Sequence, residues 1–310
     1  MNTKTLKYIL KRILMAFVTI LAVITITFWS MQALPGGPFT SEKAVSAETL
    51  ARLNALYGLD QPKGVQYLNY LKASLSWNFG YSIKNSLPVM TIIQQDFPLS
   101  GIMGCIALLL ALFFGILLGS LAATHQNKFS DRLIMVLSTA SVAMPSFIIA
   151  TFFLLFFCIQ LKWFPASYSA INGPKALVLP TLCLSLYPMA YITRLTRSST
   201  LDVLNQDYIR TAKAKGLTNS KILFKHALRN SLTPVITYVG PEFAYIITGS
   251  LVVEQIFAVP GIGRDFTQSI LNRDYPLIMG TTVFLTYLMV FMLLLSDILY
   301  KVANPKVELD

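Results

Sequence analysis

Six stretches of this chain, residues 13–34, 97–124, 133–161, 176–193, 231–253 and 275–296, are long and apolar, and only one carries a charged side chain, Glu242. A helix needs about 20 largely apolar residues to cross the roughly 30 Å hydrocarbon layer of a bilayer. Lipid offers no hydrogen bonds, so the backbone of such a run must satisfy itself, and an uninterrupted apolar run does so as a helix. The pattern predicts an all-α polytopic membrane protein with six transmembrane helices. At 55% hydrophobic and 13% charged, the 310 residues hold too little charge to coat a water-soluble fold of that length.

Orientation follows from Lys and Arg, which are retained on the cytoplasmic side of short loops. With six spans the termini share a side. That side holds Lys4, Lys7, Lys11, Arg12, Lys128, Arg132, the eight basic residues from Arg194 to Arg229, Lys301 and Lys306, which is sixteen of the 25. Both termini are therefore expected to be cytoplasmic. The net charge of +11 sits at segment ends and in one loop, which argues against nucleic-acid binding. Cys105, Cys158 and Cys183 fall inside apolar segments and read as packing groups. His125 and His226 lack neighbours at metal-ligand spacing, so no metal site is expected. The first apolar run exceeds a signal-peptide core and reads as a retained helix. The whole chain, 1–310, reads as one membrane domain.

The connection 35–96 is too long to be a bare loop. Ser46 and Glu48 open a helix through Leu50, Leu53 and Leu56 that Gly58 stops, and Asp60-Gln61-Pro62 forms a turn. A second amphipathic helix follows, with Val65, Leu68, Leu71 and Leu75 as its apolar face beside Tyr67, Tyr70 and Trp77. The result is an extracytoplasmic subdomain that caps the membrane mouth or docks a substrate-delivering protein. In the second span Ala107, Ala111, Gly115, Gly119 and Ala123 recur every fourth residue, the small-residue seam along which two helices approach closely in lipid. Pro145, Pro180 and Pro188 interrupt other spans.

Between the fourth and fifth spans, residues 197–233 are polar and basic and read as two short helices. Thr200 is the expected cap of the first, with Asp202 near its positive end, Lys213 and Lys215 near its other end and Gly216 as the stop. Asn219 or Ser220 caps the second, which places Lys221, Lys225 and Arg229 on one face beside Phe224 and Leu228. Such a surface, apolar and basic together, suits docking to a soluble partner.

The run Asp207-Tyr208-Ile209-Arg210-Thr211-Ala212-Lys213-Ala214-Lys215-Gly216-Leu217, followed by His226-Ala227-Leu228-Arg229-Asn230, resembles the cytoplasmic coupling loop of bacterial ABC importer permeases. More narrowly it is similar to the B-type subunit of oligopeptide and dipeptide permeases. Arg210, Thr211 and Ala212 stand where the general pattern has Glu-Ala-Ala, and Arg229 stands where many importers carry proline; both departures are typical of the peptide-permease branch. Leu34-Pro35-Gly36-Gly37-Pro38, Tyr57-Gly58-Leu59-Asp60-Gln61-Pro62, Asn78-Phe79-Gly80-Tyr81-Ser82, Arg194-Leu195-Thr196-Arg197-Ser198-Ser199 and Val253-Glu254-Gln255-Ile256-Phe257-Ala258-Val259-Pro260-Gly261-Ile262-Gly263 extend the resemblance along nearly the whole chain.

The resemblance implies the type I ABC importer permease fold and a set of partners: a second, similar permease subunit, two cytoplasmic ATPases that bind ATP and Mg, and an extracytoplasmic peptide-binding protein. The coupling loop, with Asp207, Tyr208, Arg210, Thr211, Ala212, Lys213, Ala214, Lys215, Gly216, Lys225, His226 and Arg229 as its site residues, would seat an ATPase. The chain itself has no Gly-x-x-x-x-Gly-Lys-Ser/Thr loop and is expected to carry neither a cofactor nor a catalytic residue. A secondary transporter would place several ionisable groups at mid-membrane depth, whereas the spans here hold Glu242 alone, the candidate pathway residue. An intramembrane enzyme would need a nucleophile with a positioned base, and neither histidine lies in a span. The expected cargo is oligopeptide, with nickel, dipeptide or another small solute of the same subfamily as the alternative.

Overall fold

The structure is a computed structural model that describes residues 3–34, 47–169 and 171–303. The Pro35 to Pro38 motif and Ser46 lie outside the described residues. The elements are α1 (Thr3–Ala33), α2 (Ala47–Leu56), α3 (Lys63–Leu75), α4 (Val89–Thr124), α5 (Phe129–Ala143), α6 (Ser146–Phe153), α7 (Val178–Leu204), α8 (Asp207–Ala214), α9 (Asn219–Lys221), α10 (Leu228–Ser231), α11 (Thr233–Ile247), α12 (Leu251–Ile256), α13 (Ile262–Leu271) and α14 (Tyr275–Ala303). Wide π-type turns continue α6 through Leu154–Gln160 and join α9 to α10 through Ile222–Ala227.

Five segments are long and apolar enough to span: Leu10–Ala33, Val89–Thr124, Gly173–Leu204, Thr233–Ile256 and Tyr275–Asp297. The sixth expected span is a bent pair, Phe129–Ala143 and Ser146–Gln160, at 104°. Proline explains the break. Pro145 forces the residue before it out of the helical region, and Met144 is extended with ψ 129°.

The seam on α4 is borne out. Ala107 and Ala111 are fully buried and Ala123 nearly so, while Leu109, Phe113 and Leu117 on the other face are 65%, 66% and 52% exposed. Small residues face protein and large ones face lipid, the reverse of a water-soluble helix in size though not in polarity. The seam packs on α7: a Cβ on Gly119 would stand 2.5 Å from the Thr193 carbonyl oxygen and 2.6 Å from the Thr196 Cβ. Only hydrogen fits there.

Two apolar clusters hold the bundle. One gathers Met103, Ile149, Leu179, Cys183, Val253 and Phe257 from α4, α6, α7 and the α12 end. The other joins Ile24, Val89, Ile93, Leu277 and Val283 with Phe79, and so ties α1, α4 and α14 to the connection after α3.

Gly58, at φ +64°, does terminate the helix before it. The face of α3 is a correction. Val65, Leu68 and Leu75 are 43%, 61% and 46% exposed, and the helix seats itself through its aromatic side. Tyr67 bonds Thr25 at 2.9 Å, and the Tyr67 and Tyr70 rings pack on Phe28. Tyrosines win that face because each buries a large ring and still places its hydroxyl on a polar partner. The subdomain is pinned at a second point by Asp274, at the start of α14, which accepts from the Ser82 hydroxyl at 2.5 Å and from the amides of Ile83 and Lys84 at 3.1 and 3.3 Å.

Candidate coupling surface and translocation pathway

At the end of the bundle where α7 leaves it, α8, α9 and α10 fold back as a compact hairpin with its own core of Ile209, Ala212, Ile222, Leu223 and Ala227. Burial of that apolar set makes the hairpin a body of its own, where a solvated loop would have none. Gly216 adopts φ +73° after α8, the left-handed stop that the sequence predicts. Asp207 sits in the first turn of α8, where its charge meets the positive end of the helix dipole. The Asn230 side-chain amide donates to the Tyr208 hydroxyl at 2.9 Å and closes the hairpin across its two arms.

Of the predicted site residues, Ala212 is buried inside the hairpin and His226 is half-buried, while Asp207, Tyr208, Arg210, Thr211, Lys213, Ala214, Lys215, Gly216, Lys225 and Arg229 are exposed. The outer surface therefore presents basic side chains around two aromatic ones, Tyr208 at 43% and Phe224 at 70% exposure. The described residues leave both rings largely uncovered.

Three local expectations are corrected. Thr200 caps nothing: α7 continues past the expected end of the span to Leu204, and the Thr200 hydroxyl is buried and donates to Ser231 at 3.1 Å. A polar residue inside a helix end can serve a neighbouring helix instead of its own terminus. The helix of the second arm begins at Asn219, so its cap position falls one residue earlier than expected, on Thr218, whose Oγ1 accepts from the Lys221 amide at 3.4 Å. Its central turn is π-helical, so a four-residue step no longer returns to the same face, and Lys221, Lys225 and Arg229 do not form one straight row although all three are exposed.

The end of α7 from which the hairpin springs is itself held by a buried polar tie to α5 that the sequence did not announce. Arg197, near the end of α7, forks onto Asp131 at the start of α5, with Nε to Oδ1 at 2.5 Å and Nη2 to Oδ2 at 2.8 Å. Asp131 also accepts from the Asn127 amide at 2.8 Å. The signal available in sequence was a lone acid among basic residues at a span boundary.

Within the bundle a cavity of about 1030 Å³ opens between α5, α6, α7, α11, α12 and α14. The α5–α6 break lines it from Ser141 to Ser146, and among the described residues that line it the only Asp, Glu, Lys, Arg or His is Glu242. The volume is at the upper end of small-molecule pockets. The predicted pathway residue thus stands on the wall of this cavity.

At the far end from the hairpin, α12 and α13 fold against each other around Glu254, which is fully buried. Its Oε1 accepts from the Ser250 amide at 3.1 Å and its Oε2 from the amides of Gly263 and Arg264 at 2.9 and 3.1 Å. The sequence around it, Gly261-Ile262-Gly263, is shaped for the same purpose, because a Cβ on Gly263 would lie 3.0 Å from the carboxylate oxygen. Ser100 of α4 accepts from the Ile262 amide at 3.0 Å and anchors the pair to the bundle. Ser250, Val253 and Phe266 of this structure line the cavity.

Comparison with known proteins agrees with this arrangement. The family described as "Binding-protein-dependent transport system inner membrane component" matches residues 115–309, and the one described as its N-terminal membrane component matches residues 5–103. The chain is 45% identical over 304 residues to the dipeptide transport system permease protein DppB of Bacillus subtilis, covering 98% of each chain. It is 41% identical over 304 residues to the oligopeptide transport system permease protein OppB of Salmonella typhimurium, covering 98% of this chain and 99% of that one. Among solved structures, the inward-facing MetNI methionine ABC transporter contains a chain with a TM-score of 0.53 at 14% identity, covering 69% of this chain and 97% of that one, a likeness of fold. This chain belongs to the family of binding-protein-dependent transport system inner membrane components.

Proposed function

We propose that the chain is one pore-forming permease subunit of an ATP-driven ABC importer that carries oligopeptides across the cytoplasmic membrane, with both termini in the cytoplasm. It is a transport subunit and no enzyme; ATP and Mg are bound and used by separate ATPases. The observation that carries the reading is the hairpin of α8 to α10, a self-cored body whose exposed face combines Tyr208 and Phe224 with Arg210, Lys213, Lys215, Lys225 and Arg229. That face is the seat for one ATPase. A second, homologous permease subunit closes the cavity from the other side, and an extracytoplasmic peptide-binding protein delivers the cargo to the end where α2, α3 and the α12–α13 pair lie.

In this mechanism the hairpin moves with its ATPase. The bond from Thr200 to Ser231 fastens α10 of the hairpin to α7, and Arg197 with Asp131 hands the motion to α5, whose broken end lines the cavity. ATP binding favours one arrangement of the spans and ADP the other, so transport is a population shift driven by the nucleotide. The relatives named for dipeptide and for oligopeptide transport support a peptide cargo. Uptake of a labelled pentapeptide and of labelled nickel, in cells with and without this chain, tests the cargo: peptide uptake alone is lost on deletion. Loss of nickel uptake alone would overturn the peptide reading.

A further inference from the structure

Resting on the permease reading, we propose that Glu242 and the tyrosines around it form a subsite for the protonated amino terminus of the cargo peptide. The cavity wall is otherwise built of apolar and neutral polar side chains, with no Lys or Arg among the lining residues. The Tyr238 hydroxyl stands within reach of this acid, but it is neutral, and no cationic side chain is among the described residues that line the space to balance the charge. An acid within a span is costly to hold alone, and a cation that arrives with the cargo removes that cost for both charges.

Aromatic rings complete the site. Tyr187 of α7 and Tyr245 of α11 line the same cavity, and they are 50% and 67% exposed. Tyr245 lies three residues after Glu242 and Tyr238 four before it, so all three share one face of α11. The Tyr238 hydroxyl is buried beside Glu242, and its ring stacks on Tyr191 at 4.3 Å between centroids. A carboxylate flanked by electron-rich ring faces is the arrangement that recognises an ammonium group. It accepts the amino end of any peptide, whatever the side chains, and leaves the rest of the apolar cavity to accommodate residues of varied size. A free carboxylate end finds no basic partner on this wall. The site therefore gives the cargo a direction, amino terminus toward Glu242.

The test uses the whole transporter with its delivering protein in proteoliposomes, and the probes are pentaalanine and N-acetyl-pentaalanine. The quantity read is the ratio of their initial uptake rates, compared between the native chain and Glu242→Gln. Preference of the delivering protein for either probe is common to both transporters and cancels in that comparison. The ratio of free to acetylated uptake falls about tenfold in Glu242→Gln, the size of one ammonium contact, and stays within about twofold of native in Glu242→Asp. An unchanged ratio in Glu242→Gln overturns the subsite, as does an equal fall in Glu242→Asp. Should Glu242→Gln fail to assemble, Tyr245→Leu carries the comparison, a lowered ratio supporting the subsite and an unchanged one overturning it. If the native transporter moves neither peptide, it is the peptide-permease reading that fails.

Discussion

The Arg197 guanidinium holds the Asp131 carboxylate in a two-bond fork, joining the end of α7 to the start of α5. The geometry is bidentate and Asp131 is almost fully buried, so removing one partner leaves the other charge without compensation. Asp131→Ala is expected to cost about 3 kcal/mol, visible as a lower unfolding temperature of the purified complex. Exchanging the two residues, Asp131→Arg with Arg197→Asp, recovers part of that loss. If the exchange is no better than the single variants, the fork is not what binds the two helices.

The α4–α7 seam has no room at Gly119. Gly119→Ala forces a methyl into the Thr193 carbonyl and is expected to destabilise by about 1–3 kcal/mol. Gly64 in α3 has nothing within 4 Å of its would-be Cβ, so Gly64→Ala is neutral or stabilising by up to about 1 kcal/mol. Thermal unfolding of the two variants side by side separates close packing from a general effect of glycine replacement.

Charge on the hairpin separates docking from folding. Lys213, Lys215 and Lys225 are exposed and stand outside the Ile209–Leu223 core, so replacing all three by Glu leaves the membrane domain folded. ATP hydrolysis by the assembled transporter is then expected to lose its dependence on cargo. Unchanged coupling of hydrolysis to uptake would remove this face from the ATPase seat.

Asp265, on α13 outside the spans, carries a pH signature. Burial first, and then the neighbouring Asp96 and Glu254, push its carboxyl well above the ordinary range, against a smaller pull from Arg264. The folded α12–α13 pair therefore holds a proton that the unfolded chain releases at about pH 4, and stability falls as pH rises from there toward the raised value. Amide protection factors across Ile262–Leu271, from which the intrinsic base catalysis of exchange is divided out, are expected to fall over that window in the native chain and to be flat in Asp265→Asn. Equal pH dependence in both would assign the effect to another group.

What the sequence made legible was whatever depends on local chemistry or on a repeating period. Gly216 and Gly58 stop their helices because a left-handed backbone is a local demand that glycine meets. The row from Ala107 to Ala123 shows its packing face by period alone. What escaped is decided by partners distant in the chain. Thr200 looks like a cap until Ser231, thirty-one residues on, takes its hydroxyl. Leu68 looks like a core residue of α3 until Thr25 and Phe28 of α1 claim the tyrosine side. The apolar runs themselves were legible, but Pro145 was readable only as an interruption, and the 104° turn it permits depends on what packs beyond it.

The three amides gathered on Glu254 come from both sides of the α12–α13 turn, Ser250 from one and Gly263 and Arg264 from the other. One fully buried carboxyl thus holds both arms at once, and parting the arms would take away its amide partners on one side or the other. The α12–α13 pair therefore stands as one unit beside the cavity, and the wall that Ser250, Val253 and Phe266 lend to it is fixed by a carboxyl that itself lines nothing.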